Sequence, residues 1–394
     1  MKLAILTCGI LPIPAVQGGA VENLIDFYLD YNNIHKLHDI TVYSPWDERL
    51  ANHPALKSDV NHYIFIDVTS HMARIARKIY GYLHHDEYYN HYIEYYFEKV
   101  YSSLKKIDYD YIIIENGAGL AYKLSLRGYK NLILHMHNEV RESQARFHNV
   151  VFRDLTKIIT VSDYIKRKAS AYFPIEKIQT VHNGIDLHNF YPKKRPSVTR
   201  ESLGFAMDDF IMVYSGRINP EKGVSELIDA MLQLKRYPHI KLMIIGGTFF
   251  GNTDNDDEFI HSLKIKARPI EERIIFTGFI AYDKMPDYLQ LADIVVIPSI
   301  WNDPFPTTEL EAQAMGLPII TTLRGGIPEE VSESNAILLE TDTHFTNNLA
   351  NAILDLYHHP DKCYQMAISS LERSKLFDKN IYAEHFFDAL KNLD

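Results

Sequence analysis

Short, uniformly apolar runs alternate with longer amphipathic stretches along most of the chain. Residues 2–7 read as a first strand, and the helix after it carries Val21, Leu24, Ile25, Tyr28 and Leu29 at helical spacing. Further strand-like runs fall at 38–43, 63–67, 111–114, 132–134, 158–162 and 181–186. The stretch 191–196 is polar and bracketed by Pro192 and Pro196, without apolar period, and reads as a linker between domains. Beyond it the alternation restarts. Strands are predicted at 210–214, 241–245, 274–276, 294–297 and 319–322, and Leu227, Ile228, Ala230, Met231 and Leu234 form the apolar face of the helix that follows the first of them. Apolar strands separated by helices predict parallel sheets covered on both faces. The expected architecture is therefore α/β, with two doubly wound domains at 1–190 and 191–376. Residues 377–394 then form an amphipathic helix with Phe377, Ile381, Phe386, Phe387 and Leu390 on its apolar side, after helical stretches that contain Ile353, Leu356 and Met366.

Length agrees with two domains, since 394 residues exceed one ordinary core. A hydrophobic share of 46% with 23% charged residues is the profile of a globular enzyme rather than a disordered chain. The formal net charge of −10 argues against a general nucleic-acid binder. Cys8 and Cys363 are far apart and lack metal-ligand spacing, which fits a reducing compartment. The first apolar run follows a single basic residue, Lys2, and is interrupted by Gly9, Pro12 and Pro14, so it reads as a buried strand rather than a secretory signal. No run reaches the ~18 apolar residues of a membrane span. The expectation is a cytoplasmic protein, with any membrane contact peripheral and at the cytoplasmic face.

Composition is uneven at one place. Ten of the 26 tyrosines lie between Tyr80 and Tyr111, preceded by Arg74, Arg77 and Lys78, in a stretch that reads as one or two helices over 71–106. Such a stretch is either a helix pair packed on the sheet or a face for an acceptor or a membrane surface, because tyrosine suits sugar rings and interfaces.

Candidate chemistry sits in loops at strand ends, where open α/β sheets place their ligands. The first is Gln17-Gly18-Gly19. His135 and His137 follow the strand at 132–134. The loop 215–223, SGRINPEKG, offers Arg217 as a bidentate fork and Lys222 as a point charge, a pair suited to a diphosphate. The segment 298–328 breaks after a strand at Asn302-Asp303-Pro304 and opens a helix at Thr307-Thr308, whose N-terminus is an anion site with Asp303 and Glu311 beside it. Asp108-Tyr109-Asp110 and Asp254-Asn255-Asp256 match a short metal-binding triplet, though the first more simply caps a strand.

Taken together, these motifs make the chain resemble the retaining glycosyltransferases of family 4. The Gly18-Gly19 loop, Asn183-Gly184-Ile185-Asp186 with Phe190, the 215–223 loop and PFPTTELEAQAMGLPIIT at 304–321 occur in that family's order. The resemblance implies the GT-B fold, two Rossmann-like domains facing across a cleft, with the last helix crossing back to the N-terminal domain. It implies an acceptor-side N-terminal domain and a donor domain that binds a nucleotide-sugar, here a UDP-sugar, as co-substrate without a metal or other cofactor. Arg217 and Lys222 match the residues on the diphosphate. Asp303 matches the acid on the sugar hydroxyls and Glu311 the acid on the ribose, while Phe305, Pro306, Thr307 and Thr308 lie where backbone N–H groups face sugar or phosphate oxygens. Phe279 and Ile280 match the segment that holds the base, and His137 the histidine beside the donor sugar, with His135 a rival. Two positions depart from the pattern. Asp303 stands where Glu is commoner, and Pro306, which has no N–H to donate, replaces a glycine. The implied reaction moves a hexose to a glycan or lipid-linked acceptor. A GT-B epimerase or phosphorylase, or a non-catalytic glycan-binding partner, is the alternative.

Overall fold

The computed structural model describes every residue except 84–90, 140–147, 195–196, 248–257, 392 and 394, with backbone alone at 91 and 92. The chain divides into two compact units, one made of Met1–Asn183 with Asn380–Asp394 and the other of Gly184–Lys379.

The first unit is built on a parallel sheet of β1 (Lys2–Leu6), β2 (Asp39–Pro45), β3 (Asn61–Ile66), β4 (Tyr111–Glu115), β5 (Leu132–Met136), β6 (Leu155–Thr160) and β7 (Ile178–Thr180), in the order β3-β2-β1-β4-β5-β6-β7. The strand sequences explain their place. Leu3, Ile5, Ile113, Ile133 and Ile159 are fully buried, as befits strands covered on both faces. The order reverses between β1 and β4, so their carboxyl ends diverge into the crevice where such sheets receive ligands. Asp110 ties the start of the sheet together: its carboxylate accepts from Lys2 N at 2.6 Å and its own N–H donates to Lys2 O at 2.8 Å.

The second unit repeats the plan. β8 (Phe210–Ser215), β9 (Ile240–Ile245), β10 (Ile274–Gly278), β11 (Ile294–Val296), β12 (Ile319–Thr322) and β13 (Ala336–Leu339) form a parallel sheet in the order β10-β9-β8-β11-β12-β13. Its switch point lies between β8 and β11. One core cluster joins Met212, Leu242 and Val296 of the sheet to Leu227, Ile228 and Met231 of the Val224–Gln233 helix, and to Leu349, Ile353 and Leu356 of the Phe345–His358 helix.

One reading of the sequence needs correction. The run 181–186 does not continue β7, which ends at Thr180; Ile185 instead forms an isolated parallel bridge with Asp378 and donates its N–H to Phe377 O at 2.8 Å. Of the stretch 191–196, residues 195 and 196 lie outside the described residues, and Lys193 is anchored within the second unit: it pairs with Asp287 at 2.8 Å and donates its backbone N–H to Gln290 at 2.9 Å. The segment 71–106 resolves into helices His71–Leu83 and His91–Leu104, and Tyr88 and Tyr89 lie outside the described residues. The Asp254–Asp256 triplet also lies outside them.

The last helix, Lys379–Ala389, buries Tyr382, Ala383, Phe386 and Phe387 in the core of the first unit. Phe386 stacks on Tyr28 of the Ala20–His35 helix, with ring centroids 4.1 Å apart and planes nearly parallel. Of the apolar positions predicted here, Phe377 belongs to the second unit, where it packs edge-on against Phe305 at 5.9 Å. No helix among the described residues is long and apolar enough to cross a membrane.

Candidate functional site

At the switch point of the second unit, the loop after β8 and the loop after β11 are tied together by main chain. Ile300 N and Trp301 N both donate to Glu221 O, at 3.0 and 3.1 Å. Gly223 makes the approach possible: its φ is 72°, and a Cβ there would stand 1.9 Å from Pro298 O. Glycine is the residue that meets both demands. Gly325 does the same on the far side, where an added Cβ would lie 2.0 Å from Asp303 O. The backbone of Asp303 is thereby fixed, with Gly326 N donating to its carbonyl at 2.7 Å.

This frame brings together residues that the sequence placed far apart. The Lys222 ammonium forms an ion pair with the Asp303 carboxylate, which also accepts from Ser299 Oγ at 3.2 Å. Arg217 stands exposed at the end of β8, its carbonyl held by the Tyr214 hydroxyl. Thr307–Ala314 forms the helix, with Pro306 at its N-cap position and no side chain capping it. Thr308, half-buried, turns its hydroxyl to Glu309 Oε2 at 2.9 Å rather than to the helix end.

Three acids crowd this helix. Glu309 is fully buried and also accepts from Thr321 Oγ1 at 3.2 Å. Burial, with the charge of Asp303 nearby, pushes its carboxyl up to about 8. Glu311 is nearly as buried, and burial with the Glu309 charge likewise raises it to about 8. Burial raises Glu330 well above the carboxylate range, with Glu309 and Asp303 adding to the effect. Near neutrality Glu309 and Glu311 are mostly protonated, and each can donate as well as accept hydrogen bonds.

Other predicted positions stand apart or face inward. Phe305 is a core residue, so a ligand can meet it only through its main chain. Phe279, exposed, and Ile280, half-buried, follow β10 at the sheet edge, two strands away from β8. The same segment turns back at Tyr282, whose hydroxyl burial holds well above its ordinary range, with Glu311 and Asp186 contributing. Sequence reasoning passed over Tyr282 and Ser299, and it reads Glu309 only as an acid in the first turn of the helix.

In the first unit, Gly18 and Gly19 take φ of 77° and 111° in the loop before the Ala20–His35 helix, after β1. Across the same switch point, β4 ends in Glu115, a fully buried carboxylate. Its Oε2 lies 2.9 Å from His137 Nε2 and 2.9 Å from His135 Nδ1, and its Oε1 accepts from the Tyr28 hydroxyl at 3.0 Å. Burial opposes ionisation of Glu115, but His135 and His137 outweigh it and hold the carboxyl below the ordinary range. Burial, reinforced by His135, lowers His137 to about 4 against the pull of Glu115, so its imidazole is neutral near pH 7. Both rival histidines therefore share one partner. Glu115 was legible only as an acid ending a strand.

Residues 197–372 match the family of glycosyl transferases group 1. YtcC of Bacillus subtilis, a glycosyltransferase by name, is 31% identical over 366 residues, covering 90% of this chain and 82% of its own. The lipopolysaccharide 1,2-N-acetylglucosaminetransferase of Salmonella typhimurium is 28% identical over 291 residues, covering 71% and 72%. Among solved structures, Anabaena Alr3699/HepE in complex with UDP superposes with a TM-score of 0.75 at 21% identity over 99% of both chains. WaaG, a glycosyltransferase involved in lipopolysaccharide biosynthesis, does so with 0.70 at 15% identity over 99% of this chain and 100% of its own. Two parallel doubly wound sheets and these relatives lead to one statement: the chain is an enzyme of the group 1 glycosyl transferases, on the GT-B fold.

Proposed function

We propose that the protein moves a hexosyl group from a UDP-sugar to a glycan or lipid-linked acceptor, with retention at the anomeric carbon and without a metal. The observation that carries this reading is the tie between the two switch-point loops of the second unit. It sets Lys222 against Asp303, with Arg217 exposed at the head of the same loop and Glu311 on the adjoining helix. Arg217 and Lys222 bind the diphosphate, the first through two parallel N–H donors and the second as a point charge. Glu311 takes the ribose hydroxyls and Asp303 those of the sugar. Phe279 and Ile280 hold the base through main chain, and the backbone from Phe305 to Thr308 faces sugar or phosphate oxygens, Pro306 contributing no donor.

In the step itself the bond from the anomeric carbon to the diphosphate oxygen breaks, and the acceptor oxygen forms its bond on the same face. The acceptor proton passes to the departing phosphate. Charge grows on that phosphate as the bond breaks, and Arg217 with Lys222 offsets it. Lys222 is already in place, because Asp303 orients its ammonium. UDP is favoured as carrier because the similar Anabaena protein was crystallised with UDP and with UDP-glucose.

Calorimetric titration with UDP and with the UDP-sugar tests the division of roles. Glu311→Gln is expected to weaken both ligands, because the ribose hydroxyls draw on the carboxylate form, which offers two acceptor oxygens on ionisation where an amide offers one. Asp303→Asn is expected to spare UDP and weaken the sugar-bearing donor. Equal losses for both ligands in both variants would overturn the assignment, and a melting temperature unmoved by UDP-, GDP- or TDP-sugars would remove the donor reading altogether.

A further inference from the structure

The His71–Leu83 helix of the first unit has an apolar face left exposed among the described residues. Met72 is 74% exposed, Ile75 42%, Ile79 56%, Tyr82 83% and Leu83 66%. At the helical repeat these five fall within an arc of about 100°, one continuous stripe along the helix. The opposite side does the packing: Ala73 is buried, and Tyr80 meets Tyr95 of the neighbouring helix edge-on at 6.3 Å. Apolar exposure of this extent on one helix marks a surface that meets something else.

Charge says what it meets. The helix carries Arg74, Arg77 and Lys78 and no aspartate or glutamate, within a chain whose net charge is −10. Arg74 and Lys78 are exposed and, by the same helical repeat, border one edge of the stripe next to Tyr82. Acids on the adjoining helix are taken up elsewhere, Glu94 by Lys123 at 2.8 Å and Glu98 by Arg127 at 2.5 Å. Asp67, just before the helix, accepts from Thr69 N and Ser70 N in its own turn. An apolar stripe edged by cations, with a tyrosine where the two meet, is the composition of a helix that lies in the plane of an anionic bilayer. The apolar side chains enter the acyl boundary and the cations meet the headgroups.

We infer that the His71–Leu83 helix docks the enzyme on an anionic phospholipid surface. The inference is independent of the donor-site assignment, since none of these residues belongs to it.

The experiment is co-sedimentation with vesicles of phosphatidylcholine alone and of phosphatidylcholine enriched in phosphatidylglycerol. The intact protein is expected to bind the anionic vesicles, weakly or not at all the neutral ones, and to be released by salt. Ile79→Asp should abolish binding. Lys78→Glu should weaken it at least about fivefold, which corresponds to the contribution of one cation near such a surface. Both positions are exposed, so the melting temperature and its shift with UDP should stay unchanged; a variant that loses either is replaced by Met72→Asp. Equal binding of Ile79→Asp, or equal binding to neutral vesicles, would overturn the inference. So would a protein that ignores vesicles but is a dimer in light scattering and a monomer as Ile79→Asp, for the stripe would then cover a second copy.

Discussion

Lys222 and Asp303 stand 81 positions apart in sequence, yet the geometry makes them one unit. Replacing Lys222 by alanine removes a cation from the developing phosphate charge and also leaves the Asp303 carboxylate with Ser299 but without its cation. Lys222→Ala and Arg217→Ala are each expected to lower turnover about a hundredfold, equivalent to ~3 kcal/mol, with the fold intact. Near-normal turnover in either, measured with the preferred donor, would make the loop a solvated turn. The buried carboxyls add a pH dependence. Glu311 is raised from an ordinary 4.5 to about 8 in the folded protein, so its contribution to stability is fully present below about pH 4.5 and is lost as the pH climbs through 8. Stability of the wild type should therefore decline between about pH 5 and 8, and Glu311→Gln should flatten that decline by an amount on the order of a few kcal/mol. Chemical denaturation at several pH values measures it, and an unchanged slope would show that Glu311 ionises freely in the folded state.

At the scale of elements, the two switch-point loops depend on glycine more than on charge. Gly223→Ala imposes a strained left-handed backbone and drives a methyl into Pro298 O, so a loss on the order of 2 to 4 kcal/mol is expected. Gly204 has a similar φ of 83° but nothing within 4 Å of an added Cβ, and Gly204→Ala should cost only roughly 1 kcal/mol. Equal melting temperatures for the two variants would deny the close approach. Much of this level was legible in the sequence, because strands buried on both faces are apolar throughout and announce themselves at β1, β4, β5, β8, β11 and β12. The anchoring of 184–194 was not, since ion pairs such as Lys193 with Asp287 leave no period in the sequence. Nor was the environment of Glu309. An acid one turn into a helix looks solvated until its partner Thr321, on β12, is known. The Glu115 cluster escaped for the same reason, being assembled from β4, the end of β5 and Tyr28, which are distant along the chain.

At the scale of the whole molecule, the first unit is closed by the chain's last helix. Tyr382, Phe386, Phe387 and Leu390 are buried there, and at about 1.5 to 3 kcal/mol for each large apolar side chain their removal costs about as much as the whole net stability of a domain. Truncation after Lys379 is expected to leave a second unit that melts cooperatively and a first unit that binds a hydrophobic dye. A truncated protein with a single unchanged transition would contradict this.

The same discontinuity sets an order of completion during synthesis. Residues 1–183 leave the ribosome first, but their core stays open over Tyr28 until Phe386 and Phe387 have emerged, whereas Gly184–Lys379 is contiguous and complete before them. The half translated first is thus the half that finishes last. In the interval its nascent sheet shows an apolar face to chaperones, which is the period in which this polypeptide is most open to misassembly.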